Sequence, residues 1–443
     1  LFHFIFILIF KDKFKLSTIL LLILIINKLY RFTPIAYFCL LFDLYFYEIK
    51  SSYKMKKHLL FTAILAANFT VQSQNKIITV INNLPVNREF ETVELTKKAL
   101  GLKADAKLEN YVVKEIGSNS FLETQTVDND GDGIMDLLLF QPKIEASSKQ
   151  DFEILAGTNP SASRVLTCYS RFVPERTDDY AWENNKVAFR TYGPVAQKMV
   201  EDNIPGGTLT SGIDAWLKRV EYPIINKWYE KTTNGTGTYH KDTGEGLDNF
   251  QVGPSRGIGG IAVNVDGKYY FSKNFISWKT ITNGPIRTSF ILTYADWDAK
   301  GNKITESKLI SLDYGSQLSR FEIKITGTKT IAAGLTLHDK KGTTGTNLEK
   351  GWLSYWEPID DSEIGMGLVA PKGSLLSFDN HVTDEKDLSN LYGTISVKNN
   401  KAIYYAGFGW KKGSPFQTKQ EWETYLSAFA EKINNPLVVK VKK

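Results

Sequence analysis

The chain has 443 residues, with 54 Lys and Arg against 48 Asp and Glu, and 42% of it is hydrophobic. Residues 1–73 hold nine of the basic and three of the acidic side chains, which leaves 45 of each sign and no compositional reason to expect nucleic acid or an anionic membrane as partner. Cys39 lies in that leader, so Cys168 is the one remaining cysteine; an intrachain disulfide is excluded and stability rests on a hydrophobic core.

Residues 1–54 are dominated by Phe, Ile, Leu and Tyr and lead into Met55-Lys56-Lys57-His58. A basic stretch, an apolar run over 59–67 and the small-residue site Val71-Gln72-Ser73 follow in the order of a secretory signal peptide. The reading is therefore an upstream extension (1–54), a signal peptide (55–73) and a secreted or periplasmic mature chain starting near Gln74. The apolar runs 18–27 and 34–46 are shorter than the ~20 residues of a membrane helix. No membrane span is expected in the mature protein.

Short stretches rich in β-branched and aromatic residues, at 76–81, 111–116, 121–127 and 137–142, are separated by turn residues and predict a small N-terminal β domain over 74–160. Between two of them stands a D-x-D-x-D-G-x-x-D run in which Asp128, Asp130, Asp132 and Asp136 could converge on a structural Ca²⁺. A solvated Asp/Gly turn is the alternative.

From 161 to 443 the pattern becomes that of a large antiparallel sandwich. A connection unusually dense in Arg, Asp, Tyr and Trp spans 171–184 and a strand is expected at 186–192. Helices are expected at 195–203 and 213–220, and strands at 260–265, 268–271, 286–294, 304–312, 319–326 and 332–337. Thr418 and Glu421 form a capping box ahead of Trp422, Tyr425, Leu426, Phe429 and Ile433 at helical spacing, which predicts a C-terminal helix docked on the sandwich.

The segment 239–260 packs His240, Asp242, Glu245, Asp248 and Arg256 among glycines that permit tight turns and close approach to a ligand. It is the candidate active-site loop. Histidine is a residue type suited to proton abstraction and guanidinium to binding planar anions. His240 is the candidate base and Tyr239 the candidate acid; because neighbours on a regular strand face opposite ways, a regular loop would make Tyr239 core and pass the acid's role to Tyr180 or Tyr192. Arg256 is the expected carboxylate or sulfate clamp, and Arg176, Tyr180, Trp182, Arg190, Tyr192 and Lys273 are further substrate-binding candidates. No hydrolase elbow, zinc motif or phosphate-binding fingerprint is present, and no motif points to an organic cofactor.

The motifs RFVPERTDDYAWEN, GIDAWLKRVEYPIINKWY, YHKDTGEGLD, VGPSRGIGG, FSKNFISWK, NGPIRTSF and WLSYWEP resemble a family of secreted bacterial proteins catalogued as a domain of unknown function. Its members include an ulvan oligosaccharide dehydratase of marine polysaccharide-degrading bacteria. The resemblance covers nearly the whole mature chain. It implies a mainly β fold, a galactose-mutarotase-like supersandwich after a small β domain. It also implies removal of water from a terminal glucuronic or iduronic acid of a sulfated oligosaccharide, giving a 4,5-unsaturated residue linked to rhamnose-3-sulfate. A polysaccharide lyase needs the same groups in an open cleft, and a noncatalytic carbohydrate-binding protein needs the aromatics and arginines alone.

Overall fold

The computed structural model describes residues 75–159 and 165–442, which belong to one compact unit; the upstream extension, the signal peptide, Gln74 and Pro160 lie outside the described residues. No helix among the described residues is long and apolar enough to cross a membrane.

Period-two alternation drives the main sandwich. Asn302–Asp313 and Leu318–Thr326 each bury every second residue, so Ile304, Ile310, Leu312, Phe321, Ile323 and Ile325 face one core. These strands belong to a nine-stranded antiparallel sheet that also includes Phe275–Thr282, Arg287–Tyr294, Trp352–Ile359, Ser362–Val369 and Lys401–Trp410. Its partner is a five-stranded sheet of Lys268–Tyr270, Ile258–Val265, Thr330–Thr336, Asn390–Ser396 and Leu375–His381. Ile261, Val263, Ile331 and Leu335 from this second sheet join the same cluster. The expected mainly β, antiparallel supersandwich is the observed fold.

The C-terminal helix, Lys419–Asn434, begins at Thr418, whose side chain and that of Glu421 form the reciprocal capping box. Trp422 is fully buried and its indole N–H donates to the Met366 carbonyl at 3.0 Å. A side chain at Gly367 would meet the Trp422 ring and Leu426, which is why the strand beneath the helix carries glycine there. A final strand, Val438–Val441, follows the helix and pairs with Lys76–Ile81. The N-terminal strands are thus joined by the strand after the helix: a four-stranded sheet and a three-stranded sheet enclose Ile78, Val80, Leu95, Val113, Phe140 and Phe152.

Two assignments change: the stretch 171–184, expected as a connection, contributes to the strands Tyr169–Val173 and Asp179–Glu183. Residues 213–220, expected as a helix, form the strand Asp214–Lys218, and the helix lies further on at Ile225–Thr233. All five strand residues are buried, so an apolar run this short carries no period that separates helix from strand. The helix that follows is held by Glu183, whose carboxylate accepts from the Ile224 and Ile225 amides at 2.9 Å and pairs with the equally buried Lys218 at 2.7 Å. Asp214–Lys218 sits in a five-stranded sheet ordered Gly246–Leu247, Asp214–Lys218, Ala188–Thr191, Asp179–Glu183, Tyr169–Val173. That sheet supplies the candidate site.

Candidate functional site

Three neighbouring strands each place a charged residue at the same end of this sheet: Asp179, Arg190 and Asp214, the last two directly cross-strand. The Arg190 guanidinium is 7% exposed and sits in a cage of carboxylates. Its Nε and Nη2 donate to Asp214 Oδ2 at 2.9 and 2.7 Å, and Nη2 donates to Asp248 Oδ2 at 2.7 Å. Asp179 Oδ2 stands 3.5 Å from Nη1. Asp179 itself follows Thr177 and Asp178, consecutive non-glycine residues in the left-handed region at φ 48° and 63°, a strained entry that aims the strand.

The loop after Tyr239 closes on itself: the Asp248 amide donates to the Tyr239 carbonyl at 2.8 Å. The turn is fixed by Asp242, which accepts from the Gly244 and Gly246 amides, and by Glu245, which accepts from the Tyr222 hydroxyl at 2.6 Å. Gly246, at φ 109°, passes so close to the Leu217 carbonyl that a Cβ would stand 1.9 Å away. His240 is carried out at the mouth of this loop with its side chain 57% exposed. Its Nδ1 lies 2.8 Å from the Asp248 carbonyl oxygen. A carbonyl only accepts, so Nδ1 carries a proton, and a neutral ring in this position has its lone pair on Nε2.

His240, Arg190, Tyr192, Asp214 and Asp248 together line a cavity of about 760 Å³, walled further by Val200, Gly207–Leu209, Asn249, Gln251–Pro254 and Asp360. The Tyr192 hydroxyl donates to Asp214 Oδ2 at 3.0 Å; burial and then the Asp214 carboxylate push its pKa well above the usual value, so Tyr192 keeps its proton. Burial, opposed by Arg190, raises the Asp248 carboxyl to about 7 and Asp179 to about 6. Asp179 Oδ1 and Asp214 Oδ1 are buried without a hydrogen-bond donor. The cage holds more carboxylate than its guanidinium can satisfy.

Of the residues singled out from sequence, His240, Arg190 and Tyr192 meet at the cavity. Tyr239 does not: it is 1% exposed, packed against Trp216 at 4.9 Å, with its hydroxyl turned back to Arg176 and Arg190 at 3.2 and 3.3 Å. The loop is irregular, the case in which Tyr239 is expected to serve beside His240, and Tyr239 is nonetheless core because its ring packs against Trp216. Tyr180 and Trp182 are also core, at 0% exposure; Tyr180 stacks on Phe290 and Trp182 donates to Ser319. Arg176 is a supporting residue behind Tyr239, and Lys273 pairs with Glu201 at 2.6 Å outside the cavity lining.

Arg256 is the main correction. It is fully buried, and its donors reach Ser211 Oγ, Thr210 Oγ1 and the Pro254 carbonyl at 2.9–3.0 Å, with Phe271 stacked 3.9 Å from the guanidinium. No face is left for a substrate anion; Arg256 braces the loop instead. Asp179 and Asp214 were missed as site residues. The available signal was a carboxylate inside the apolar run Ile213–Leu217, since a charge buried there must have a partner.

At the N-terminal hairpin, carboxylate oxygens of Asp128, Asp130 and Asp136 lie within 4.8 Å of one another. Asp132 is not with them: its Oδ1 accepts from the Ile134 amide at 2.7 Å. The Gly131 and Gly133 amides donate to Asp128 and hold its pKa down, which keeps it charged.

The fold and site define a mainly β protein with a charged cavity at the end of a small sheet. The chain belongs to the family described as Domain of unknown function (DUF4861), whose profile matches residues 80–439. A relative from Formosa agariphila, named Uncharacterized protein P7, is 54% identical over 372 residues, covering 84% of this chain and 94% of its own. Among solved structures, a glycosyl hydrolase family 38 protein and an alpha-mannosidase, both from Enterococcus faecalis, align over 84% of this chain at 9% and 10% identity, with TM-scores of 0.47 and 0.40. Those alignments cover 48% and 46% of the two structures, so the chain spans about half their length.

Proposed function

We propose that this protein is a secreted or periplasmic dehydratase that removes water from the terminal uronic acid of a sulfated, ulvan-type oligosaccharide. The observation that carries the reading is that His240, with Nδ1 2.8 Å from the Asp248 carbonyl oxygen, lines one cavity with Arg190 and the proton-bearing Tyr192. A histidine base suits abstraction of the C5 hydrogen; the Arg190 donors are taken up by Asp214 and Asp248, so its part is to position those carboxyls at the cavity wall. The volume falls within the ~300–1,000 Å³ of small-ligand sites, enough for a chain end. The motif resemblance supplies the substrate class. Mass spectrometry of uronate-terminated ulvan oligosaccharides should show loss of one water without shortening; shortened products would indicate a lyase, and unchanged substrate a noncatalytic binder. His240→Ala should stay folded and lose at least ~10² in rate.

We further propose a structural Ca²⁺ at Asp128, Asp130 and Asp136, remote from the chemistry. Three carboxylates this close repel one another unless a cation stands among them.

A further inference from the structure

One end of the sandwich gathers lysines from several strands. Lys324 stands directly cross-strand from Lys401, and Lys401 pairs in turn with Lys398 across the two-residue turn Asn399-Asn400. Both asparagines adopt the left-handed backbone, φ 52° and 58°, that such a hairpin turn demands, so the fold itself sets these three lysines side by side. Lys329 adjoins them. Its carbonyl accepts from the Val397 amide at 2.9 Å, and Gly327, two residues before it, lies so close to the Lys303 carbonyl that a Cβ would stand 2.2 Å away. Lys303 is answered by Asp296 at 2.7 Å and Lys401 by Glu322 at 2.5 Å. Lys324, Lys329 and Lys398 are exposed and have no ion-pair partner among the described residues. Like charges set directly opposite on neighbouring strands repel, and three of these five ammonium groups lack a counter-charge.

The cavity lies at the other end. Lys401–Trp410 runs from the lysines to Trp410, whose cross-strand partner Ile364 follows closely on Asp360 of the cavity wall. Its ten residues, at ~3.3 Å each, put about 30 Å between the two ends. Charge is thus unevenly placed. The cavity lining sets Asp214, Asp248 and Asp360 against Arg190, whereas the far end carries unpaired cations.

We propose that the lysine end is a second, noncatalytic binding surface, which takes an anionic polysaccharide chain through its sulfate or carboxylate groups. Lysine is a point charge on a flexible stem, suited to anions spaced along a mobile chain rather than to one fixed planar group. Asn399 and Asn400, both exposed between the lysines, offer amide groups to sugar hydroxyls. Residues 326–330 and 396–401 include no aromatic ring on which a base could stack and no arginine to fork onto a phosphate, which favours a polysaccharide over nucleic acid. The proposal goes beyond the dehydratase reading and does not need it, because the surface is remote from the cavity.

The test is affinity electrophoresis of the protein in gels containing dextran sulfate, uncharged dextran or duplex DNA. Dextran sulfate should retard wild type, less so as salt is raised, and uncharged dextran should not. The triple variant Lys324→Gln, Lys329→Gln, Lys398→Gln, which alters exposed side chains alone, should lose affinity about 10-fold or more. His240→Ala should keep wild-type affinity, and so should a control with the same loss of charge elsewhere, Lys98→Gln, Lys103→Gln, Lys107→Gln. Absence of retardation, an unaffected triple variant or an equal loss in the control overturns the proposal. Stronger retardation by DNA than by dextran sulfate overturns the choice of polysaccharide, and lost binding in His240→Ala moves the polymer to the cavity. The readout is retention rather than turnover, so failure of this surface and failure of the dehydratase reading are separately visible.

Discussion

Arg190 is enclosed with carboxylates on three sides, and the consequence is a group whose charge state couples to pH. Burial lifts the folded-state pKa of Asp248 from the usual 3.8 to about 7. A raised carboxyl pKa means that the folded state binds the proton more tightly than the unfolded chain does. This contribution to stability is complete below about 4 and is lost as pH rises through about 7. Asn cannot ionise, so the melting temperature of Asp248→Asn should gain on that of wild type between pH 5 and pH 8, by about 3 °C or more. A gap independent of pH would mean that Asp248 is ionised throughout. The sequence made His240, Arg190 and Tyr192 legible, because polar residues crowded among glycines and aromatics are the types that chemistry uses. It could not distinguish Arg256 from Arg190. Both are buried arginines near the loop, and the difference is whether the partners are hydroxyl and carbonyl oxygens or carboxylates at a cavity wall.

At the scale of elements, the site depends on how the sheet holds the helix Ile225–Thr233 and the loop behind it. Glu183 supplies the missing acceptors for the helix's first amides and the counter-charge for Lys218, and both side chains are fully buried. Glu183→Ala leaves an ammonium buried and unpaired, which should cost about 3–5 kcal/mol in chemical denaturation; a loss below ~1 kcal/mol would mean that Lys218 finds carbonyl partners enough. The N-terminal hairpin is a second test at this scale. Chelation should lower the melting temperature of wild type and of Asp132→Ala, and leave Asp130→Ala insensitive. If chelator changes none of them, the hairpin is a turn held by the amides that Asp128 accepts from. Elements with a clear period were readable: the alternating strands of the sandwich and the capped C-terminal helix fall where the pattern puts them. Asp214–Lys218 was not, because a strand buried on both faces has no alternation to show.

At the scale of the molecule, the supersandwich is a scaffold, and the candidate site lies on the five-stranded sheet that carries Arg190 and on the loop attached to its edge. A small-residue turn such as Gly246 lets that loop lie on the sheet's edge strand, while Arg256 braces its far end against Thr210 and Ser211. Patterning reveals such a scaffold readily, since hydrophobic alternation follows from burial. The pairing of Val438–Val441 with Lys76–Ile81 was not visible in the sequence, because contacts between segments far apart in the chain leave no local signature. The central claim is that a histidine at a charged cavity removes water from a terminal uronate. The most direct measurement is mass spectrometry of a glucuronate-terminated ulvan oligosaccharide incubated with wild type and with folded His240→Ala. The account predicts a product lighter by one water, of unchanged chain length, from wild type and at least ~10²-fold less of it from the variant; equal yields from both, or shortened chains from wild type, would contradict it.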